Sequence, residues 1–493
     1  MKYTILDCYT DEPSGLGVPP YMGTYPRYIY GKLKSQGHDV TYITIDDLRL
    51  YKKYNNQKPE TSIKQKTKID VYNLTVNSKN IKQVLTETEV LVVVLGVHTP
   101  GKYLSAIPGT LHEVIPMISD LRCEKILTGP AASRHGTQLE GGKFSEKEDL
   151  SVFNDSNVDY FDVSKFDEIN KYAAIGAQLL KQIPDIRIVE IETATGCFRK
   201  GKGCSFCVEW MKPQFFREVK DIHQEVKALA NVGVKNFRLG KQTCFYSYKL
   251  GDVEQIKNLL EPIAKLKPDV LHIDNANPEF VTEDITKLIV KYCTPGNVAA
   301  FGAETFDEEV TKKNTLNSPP ELTMKAIRIV NKYGAVRGNN GMHALLPGIN
   351  ILFGLNGETK KTHQLNMEYF RKILDENLLL RRINIRQVVP YKNTVLYAEV
   401  GNKFLKKNKA HYWKWRNEIR QEIDFEMLKR IAPIGTILTN VRAEVYDGNH
   451  TFMRQIGSYP LIVGINTRVP LDKFYTVKIT GHMLRSVTGE VIK

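Results

Sequence analysis

Cys197, Cys204 and Cys207 stand within eleven residues in the segment ETATGCFRKGKGCSFCVEW, directly after a strand-like run, RIVEIET. Soft thiolates are the usual ligands of iron–sulfur clusters, and a four-iron, four-sulfur (4Fe–4S) cubane needs four ligands. Three thiolates on one short loop leave one iron without a protein ligand, a position that a chelating small molecule can take. A zinc loop closed by a distant fourth ligand, or buried thiols without function, are the alternatives that the spacing leaves open.

Such a loop needs a scaffold, and the chain has room for one. It has 493 residues, 42% of them hydrophobic, enough for two or three domains with ordinary cores. Its longest apolar run, VLVVVLGV at 90–97, is a buried strand rather than a membrane span. No charged-then-apolar leader follows Met1, so the expectation is a soluble, cytoplasmic protein with no membrane partner. Seven cysteines, an odd number, fit a reducing compartment; the solitary Cys8, Cys123, Cys244 and Cys293 read as packing residues. The net charge is +14, with 69 Lys and Arg against 55 Asp and Glu. That balance favours a polyanionic partner such as RNA, although a lysine-rich surface alone has the same composition.

The expected fold class is α/β: an N-terminal doubly wound parallel sheet, a central partial (β/α)6 barrel and a small C-terminal antiparallel β-barrel. Residues 1–150 alternate strands (YTILDCY, DVTYITI, VLVVVLG, KILTGPAAS) with helices, including one from Pro26 to Ser35. Its edge loops GLGVPPYMG, GVHTPG and TGPAAS are rich in Gly and Pro and suit a ligand, with His98 the histidine among them. The Tyr-rich PPYMGTYPRYIY, with Tyr21, Tyr25, Tyr28 and Tyr30, suits either a core or a cofactor cleft. The lysine-rich stretch from Tyr51 to Lys82 reads as an insertion, and residues 151–186 as a polar linker.

Residues 187–400 carry six strand candidates, RIVEIET, KNFRLGK, VLHIDNA, NVAAFGAET, GINILFGLNGET and RRINIRQVV, separated by amphipathic helices. Chemistry in such barrels sits at the C-terminal strand ends, and the cysteine loop follows the first strand. Residues 401–430 form a basic helical connector with Lys403, Lys406, Lys407, Lys409, Lys414 and Arg416, a solvated face or an RNA contact. Residues 431–493 suggest the antiparallel barrel, with strands in GTILTNVRAEVY, SYPLIVGI, YTVKITGHM and TGEVI.

With these residues in place, the central domain resembles the radical S-adenosylmethionine (SAM) superfamily. The order of the cysteines and the aromatic Phe206 match it, although C-x6-C-x2-C is longer than the superfamily's usual C-x3-C-x2-C. Gly302 and Glu304 in AAFGAET resemble its fourth-strand end, Gly354, Gly357, Glu358 and Thr359 in FGLNGET its fifth, and RQVVPYKNT its sixth. LGKQT, with Leu239, Gly240, Lys241 and Gln242, replaces the usual Gly-Gly-Glu of the second strand, where backbone contacts to the methionyl group lie.

The resemblance implies a 4Fe–4S cluster on Cys197, Cys204 and Cys207 whose open iron is chelated by SAM, and reductive cleavage of SAM to a 5'-deoxyadenosyl radical. It also implies a low-potential electron donor such as ferredoxin or flavodoxin. Glu304 and Arg386 are placed for the ribose or amino group of SAM, Gly354 for cofactor binding, and His272, Asp274 and Asn275 for the substrate side, or each of these polar side chains is a buried hydrogen-bonding residue.

The N-terminal domain is similar to cobalamin-binding domains but lacks the D-x-H-x-x-G element, so cobalamin is an expected cofactor without that histidine, leaving His98. The C-terminal segment is similar to a TRAM domain, a small RNA-binding barrel, which places Arg454, Tyr459, Lys478, His482 and Arg485 on one RNA-facing surface. The chain as a whole is similar to uncharacterised archaeal proteins. The expected activity is radical C-methylation of a tRNA or rRNA nucleoside. Methylthio transfer, methylation of a protein side chain, or an iron–sulfur RNA-binding protein without catalysis are the alternatives.

Overall fold

The computed structural model describes residues 1–9, 21–58, 73–96, 108–132, 148–157, 160, 165–199 and 201–492, together with the backbone of 138–139 and 143–144. His98 lies outside the described residues. Two compact units make up the chain, residues 1–190 with 220–235, and residues 191–219 with 236–493.

The first unit is a parallel sheet of five strands: β1 (Lys2–Asp7), β2 (Asp39–Thr44), β3 (Val90–Val94), β4 (Glu124–Thr128) and β5 (Asp155–Asn157). Their order is β2-β1-β3-β4-β5, all parallel, the flavodoxin-like doubly wound arrangement, in which ligands meet the C-terminal strand edge between β1 and β3. Every residue of β3 is buried, which is why VLVVV reads as an unbroken apolar run rather than an alternating one.

The linker expected over 151–186 is a correction: it holds β5 and the helix Lys165–Gly176. That helix meets the helix Tyr25–Ser35 backbone to backbone. A Cβ on Gly31 would lie 2.1 Å from the Tyr172 carbonyl oxygen, and one on Gly176 2.3 Å from that of Arg27. Polar composition concealed this contact because two glycines, not large apolar side chains, make it.

The amphipathic helix Val219–Asn231 belongs to the same unit and supplies Glu225, fully buried in an ion pair with the equally buried Arg27. Removing one partner of such a pair leaves an uncompensated charge in the core and costs about 3–5 kcal/mol.

All six strands expected for the central domain are present: β6 (Ile188–Glu192), β7 (Asn236–Gly240), β8 (Val270–Ile273), β9 (Asn297–Glu304), β10 (Leu345–Phe353) and β11 (Arg382–Gln387). β7 and β8 pair in parallel, and β9, β10 and β11 form a second parallel sheet with the short strand Asn275–Ala276 at its edge. Ile349, Ile351, Ile383 and Ile385 alternate on the buried face of the second sheet. Asn350, Leu352, Arg382, Asn384 and Arg386 occupy the opposite, partly open face, where Asn384 Nδ2 donates to Asn350 Oδ1 at 3.1 Å.

The basic connector is a packed helical run rather than a free tether. The helix Lys403–Glu418 continues through a π-helical segment, Ile419–Asp424, into the helix Phe425–Ile431, and it buries Phe404, Trp415, Ile419, Ile423 and Met427. Its lysines 403, 406, 407, 409 and 414 are exposed.

The C-terminal residues close into a barrel of five strands, β12 (Ile437–Asp447), β13 (His450–Gln455), β14 (Ile462–Ile465), β15 (Phe474–His482) and β16 (Val487–Val491), in the order β12-β13-β14-β16-β15. Two features correct the expectation. The barrel contains β13, which the sequence did not signal, and it closes through a parallel β14–β16 pair among otherwise antiparallel ones. Among the described residues no helix is long and apolar enough to cross a membrane.

Candidate functional site

The cysteine loop leaves the end of β6, where Thr193 N donates to the Gly240 carbonyl of β7 at 3.3 Å. Ala194–Thr195 then pair antiparallel with Phe215–Phe216, so the loop is tied at its base. Cys197, Cys204 and Cys207 are all free thiols of intermediate exposure.

Residues far along the chain pin the loop from the other side. Ser205 N donates to the Asn314 carbonyl at 3.0 Å and Ser205 Oγ to Asn314 Oδ1 at 2.8 Å, while Thr315 Oγ1 donates to the Gly203 carbonyl at 2.6 Å. Asn314 is fully buried and also accepts from Asn356 N, in the loop after β10, at 3.1 Å. Trp210 Nε1 caps the Cys204 carbonyl at 3.2 Å. Sequence reasoning missed Asn314, Thr315 and Trp210.

The thiols suit an iron–sulfur cluster. Arg199 Nη1 lies 3.5 Å from Cys204 Sγ and Glu209 N 3.4 Å from Cys207 Sγ, the kind of donor that stabilises a coordinated sulfur. Burial pushes the Cys204 thiol up to about 12, with Cys207, Glu304 and Cys197 adding negative charge nearby, and burial likewise pushes Cys207 up to about 11. These two sulfurs are therefore neutral thiols until a metal centre deprotonates them.

Glu304 ends β9 beside this loop. Its φ is +64°, a left-handed backbone rare for a glutamate, at a point where the β9–β10 register shifts. Burial raises its carboxyl to about 8, and the Arg386 guanidinium of β11 opposes that rise. Gly302 makes room: a Cβ there would stand 3.1 Å from Glu304 Oε1. The structure thus brings Cys204, Cys207, Glu304 and Arg386 into one electrostatic neighbourhood.

Other expected site residues have structural partners. Leu239 is buried, and its carbonyl accepts from Gln242 Nε2 at 3.0 Å and from Asp274 N at 3.1 Å. Gln242 also accepts from Thr193 Oγ1 at 3.1 Å, so its amide braces the β6 and β7 ends, and Lys241 makes the turn between Gly240 and Gln242 with φ +61°. Gly354, at φ +97°, turns the chain after β10 and donates its N–H to Glu358 Oε2 at 2.7 Å.

Two of the three residues read for the substrate side are corrected. His272 is 1% exposed and its Nδ1 meets Ser458 Oγ and N, both at 3.2 Å, so it anchors the loop between β13 and β14; burial lowers its pKa to about 4. Asp274 is buried in an ion pair with Arg238, leaving Asn275 exposed at the strand end.

The expected RNA face also needs correction, because its five residues do not share one open surface. Arg454 is 1% exposed and its Nε donates to Glu444 Oε1 at 2.9 Å. The Tyr459 carbonyl accepts from Arg381 at 2.6 Å, and its ring lies under the Arg382 guanidinium. His482 Nε2 contacts the Ala432 carbonyl at 2.7 Å. Only Lys478 and Arg485 are exposed.

Glu358 carries a pH-dependent stability. It is 2% exposed and holds the Gly354 turn to the helix Lys403–Glu418 by accepting from Asn408 Nδ2 at 2.8 Å. Burial raises its carboxyl from 4.5 to about 7 despite these donors. The folded state therefore holds the proton more tightly, and the stability this confers below pH 4.5 is lost as pH rises through about 7. Denaturant melts of wild type and Glu358→Gln across pH 4–8.5 should show the variant gaining on wild type by roughly 2–3 kcal/mol over that range.

Residues 191–359 match the family model of the Radical SAM superfamily. An uncharacterized protein of Methanocaldococcus jannaschii is 40% identical over 99% of this chain and 93% of its own length, and one of Archaeoglobus fulgidus is 39% identical over 99% and 90%. A candidate methylthiotransferase of M. jannaschii is 28% identical over 30% of this chain and 33% of its own length. Among solved structures, the radical SAM methyltransferase TsrM of Kitasatospora setae, with cobalamin and a [4Fe-4S] cluster bound, covers 81% of this chain and 74% of its own at 14% identity and a TM-score of 0.48. The chain belongs to one family with the two archaeal proteins that match it nearly end to end, and its residues 191–359 are a radical SAM domain, a family that implies a 4Fe–4S cluster and SAM.

Proposed function

We propose that this protein is a radical SAM methyltransferase that modifies a carbon of an RNA nucleoside, with cobalamin held at the C-terminal edge of its N-terminal sheet. The observation that carries the reading is the three-thiol loop, pinned by Asn314 and Thr315 and facing Glu304 and Arg386. Cys197, Cys204 and Cys207 hold the cluster, and Glu304 and Arg386 orient SAM. When bound, the cluster supplies the electron that cleaves SAM, and cobalamin supplies a methyl donor for a carbon too unreactive for acid–base catalysis. The chain's own part is to keep water out and fix the reacting atom.

Methyl transfer is favoured over sulfur insertion by the cysteine inventory. A methylthiotransferase needs an auxiliary cluster from further thiols, yet the first unit has only Cys8, buried in its core, and Cys123. The excess of 69 basic over 55 acidic residues supports RNA as substrate. Because much of the expected RNA face is buried, methylation of a protein side chain is the second reading. Nucleoside mass spectrometry of total RNA from a deletion strain tests the choice. We expect one methylated nucleoside to vanish and to return on complementation, and an unchanged profile would refute the RNA substrate.

A further inference from the structure

The second unit carries a cluster of guanidinium groups that neither the cysteine site nor the barrel's own packing uses. In the helical run after residue 402, Arg416, Arg420 and Asp424 recur at four-residue spacing across the π-helical segment, a form that concentrates at functional sites. Arg420 donates to the Ile383 carbonyl on the edge of β11 at 2.7 Å and pairs with Asp424. Arg485, between β15 and β16, is exposed and feels the charges of Arg420, Asp424, Arg382 and Arg416. Arg381 and Arg382 enter from the start of β11.

The charges do not balance. Three guanidinium groups, Arg420, Arg382 and Arg416, and one carboxylate, Asp424, act on that of Arg485. The nearby acids of the same helical run are engaged elsewhere, Glu418 with His363 at 3.0 Å and Glu422 with Arg371 at 2.8 Å. Arg420 is 8% exposed, yet its Nε has no partner among the described residues, and the same holds for the Arg381 Nε. Mutual repulsion and incomplete pairing at this density are what a polyanion relieves.

Aromatic rings flank the cluster. The Arg416 guanidinium lies 5.3 Å from the centroid of Trp413, which is 56% exposed, and Arg382 lies 5.0 Å from that of Tyr459. Stacking surfaces next to guanidinium groups suit bases joined by phosphates better than an isolated phosphate or an acidic peptide.

We infer that Arg382, Arg416, Arg420 and Arg485, with Trp413 beside them, bind the phosphodiester backbone of a single-stranded RNA segment. The strand itself connects this surface to the chemistry. Arg382 and Arg386 lie on the same face of β11, four residues and thus about 13 Å apart, and Arg386 is the residue beside Glu304. A polynucleotide reaches both places, whereas a mononucleotide does not.

This inference rests on the RNA reading, and the test separates the two. Binding of a fluorescein-labelled, mixed-sequence single-stranded RNA to the anaerobically reconstituted protein is followed by fluorescence polarisation over a salt series. Arg416→Glu with Arg485→Glu should weaken binding at least ~10-fold at moderate salt and reduce the salt slope by roughly 1 for each lost cation. Arg485→Lys should retain most of the slope but lose affinity, because it keeps the charge and loses the planar fork. Lys265→Glu, an exposed reversal on another helix, should leave binding unchanged, and thermal melts confirm that each variant is folded.

RNA binding that is tight in wild type and equal in the double variant would overturn this site while leaving the RNA reading intact. No RNA binding by wild type would overturn both. Competition by polyglutamate at matched charge as effective as unlabelled RNA would overturn the site in favour of a protein partner.

Discussion

Cys204→Ala should abolish 5'-deoxyadenosine formation in anaerobically reconstituted protein given SAM and dithionite, a fall on the order of 1000-fold or more, and should remove most bound iron. The physical reason is the donor count. Three thiolates already leave one iron open, so a second vacancy exposes another iron to solvent and exchange. Cys197→Ala and Cys207→Ala should behave alike, because the three act as a unit rather than additively.

Cys8→Ser and Cys293→Ser are the controls. Cys8 sits in the core of the first unit, and Cys293 follows the helix Glu283–Tyr292, with burial raising its thiol above its ordinary range. Both variants should keep iron and activity, whatever they cost in stability. Wild-type protein that bound a single tetrahedral zinc, or a Cys204→Ala protein that retained full cleavage, would refute the assignment.

How much of this was legible beforehand depends on the range over which each interaction acts. The cysteines are local, so their spacing shows three thiols on one loop, while the choice of a cluster over zinc rests on the family resemblance. The family resemblance puts Glu304 and Arg386 near strand ends, and they lie in the last residues of β9 and β11. The supports of the cysteine loop were not legible. Asn314 and Thr315 lie 109 and 112 residues from their partners Ser205 and Gly203, and in sequence they resemble only the polar end of a short helix.

The C-terminal surface failed for a different reason. The resemblance to a TRAM domain puts Arg454 on the RNA face, but a register shift between Ala443 and Val445 in the β12–β13 ladder accompanies a buried pair of Glu444 with Arg454. Alternation along one strand cannot reveal a bulge in its neighbour. Meanwhile the arginines that do converge come from β11, the helical run and the β15–β16 turn, three segments distant in sequence.

Glu304→Gln is expected to weaken SAM binding by roughly 30- to 1000-fold while leaving the iron content intact. That is the effect, about 2–4 kcal/mol, of removing one partner of a desolvated charge-assisted contact. The substitution preserves size and the left-handed φ of +64°, so the backbone strain is the same in both proteins and cannot account for the loss. Without a ligand the carboxyl holds its proton up to about pH 8, because burial outweighs the opposing charge of Arg386.

The carboxyl must release that proton before it can accept from an ammonium or a ribose hydroxyl as a full anion. SAM affinity of the wild type should therefore rise with pH toward about 8, by up to about tenfold per unit, and then level off. The Gln variant, with nothing to titrate at this position, should be flat over the same window. Isothermal titration of the reconstituted proteins at pH 6.5, 7.5 and 8.5 measures both profiles. Parallel slopes in the two would mean that Glu304 shapes the end of β9 without touching SAM.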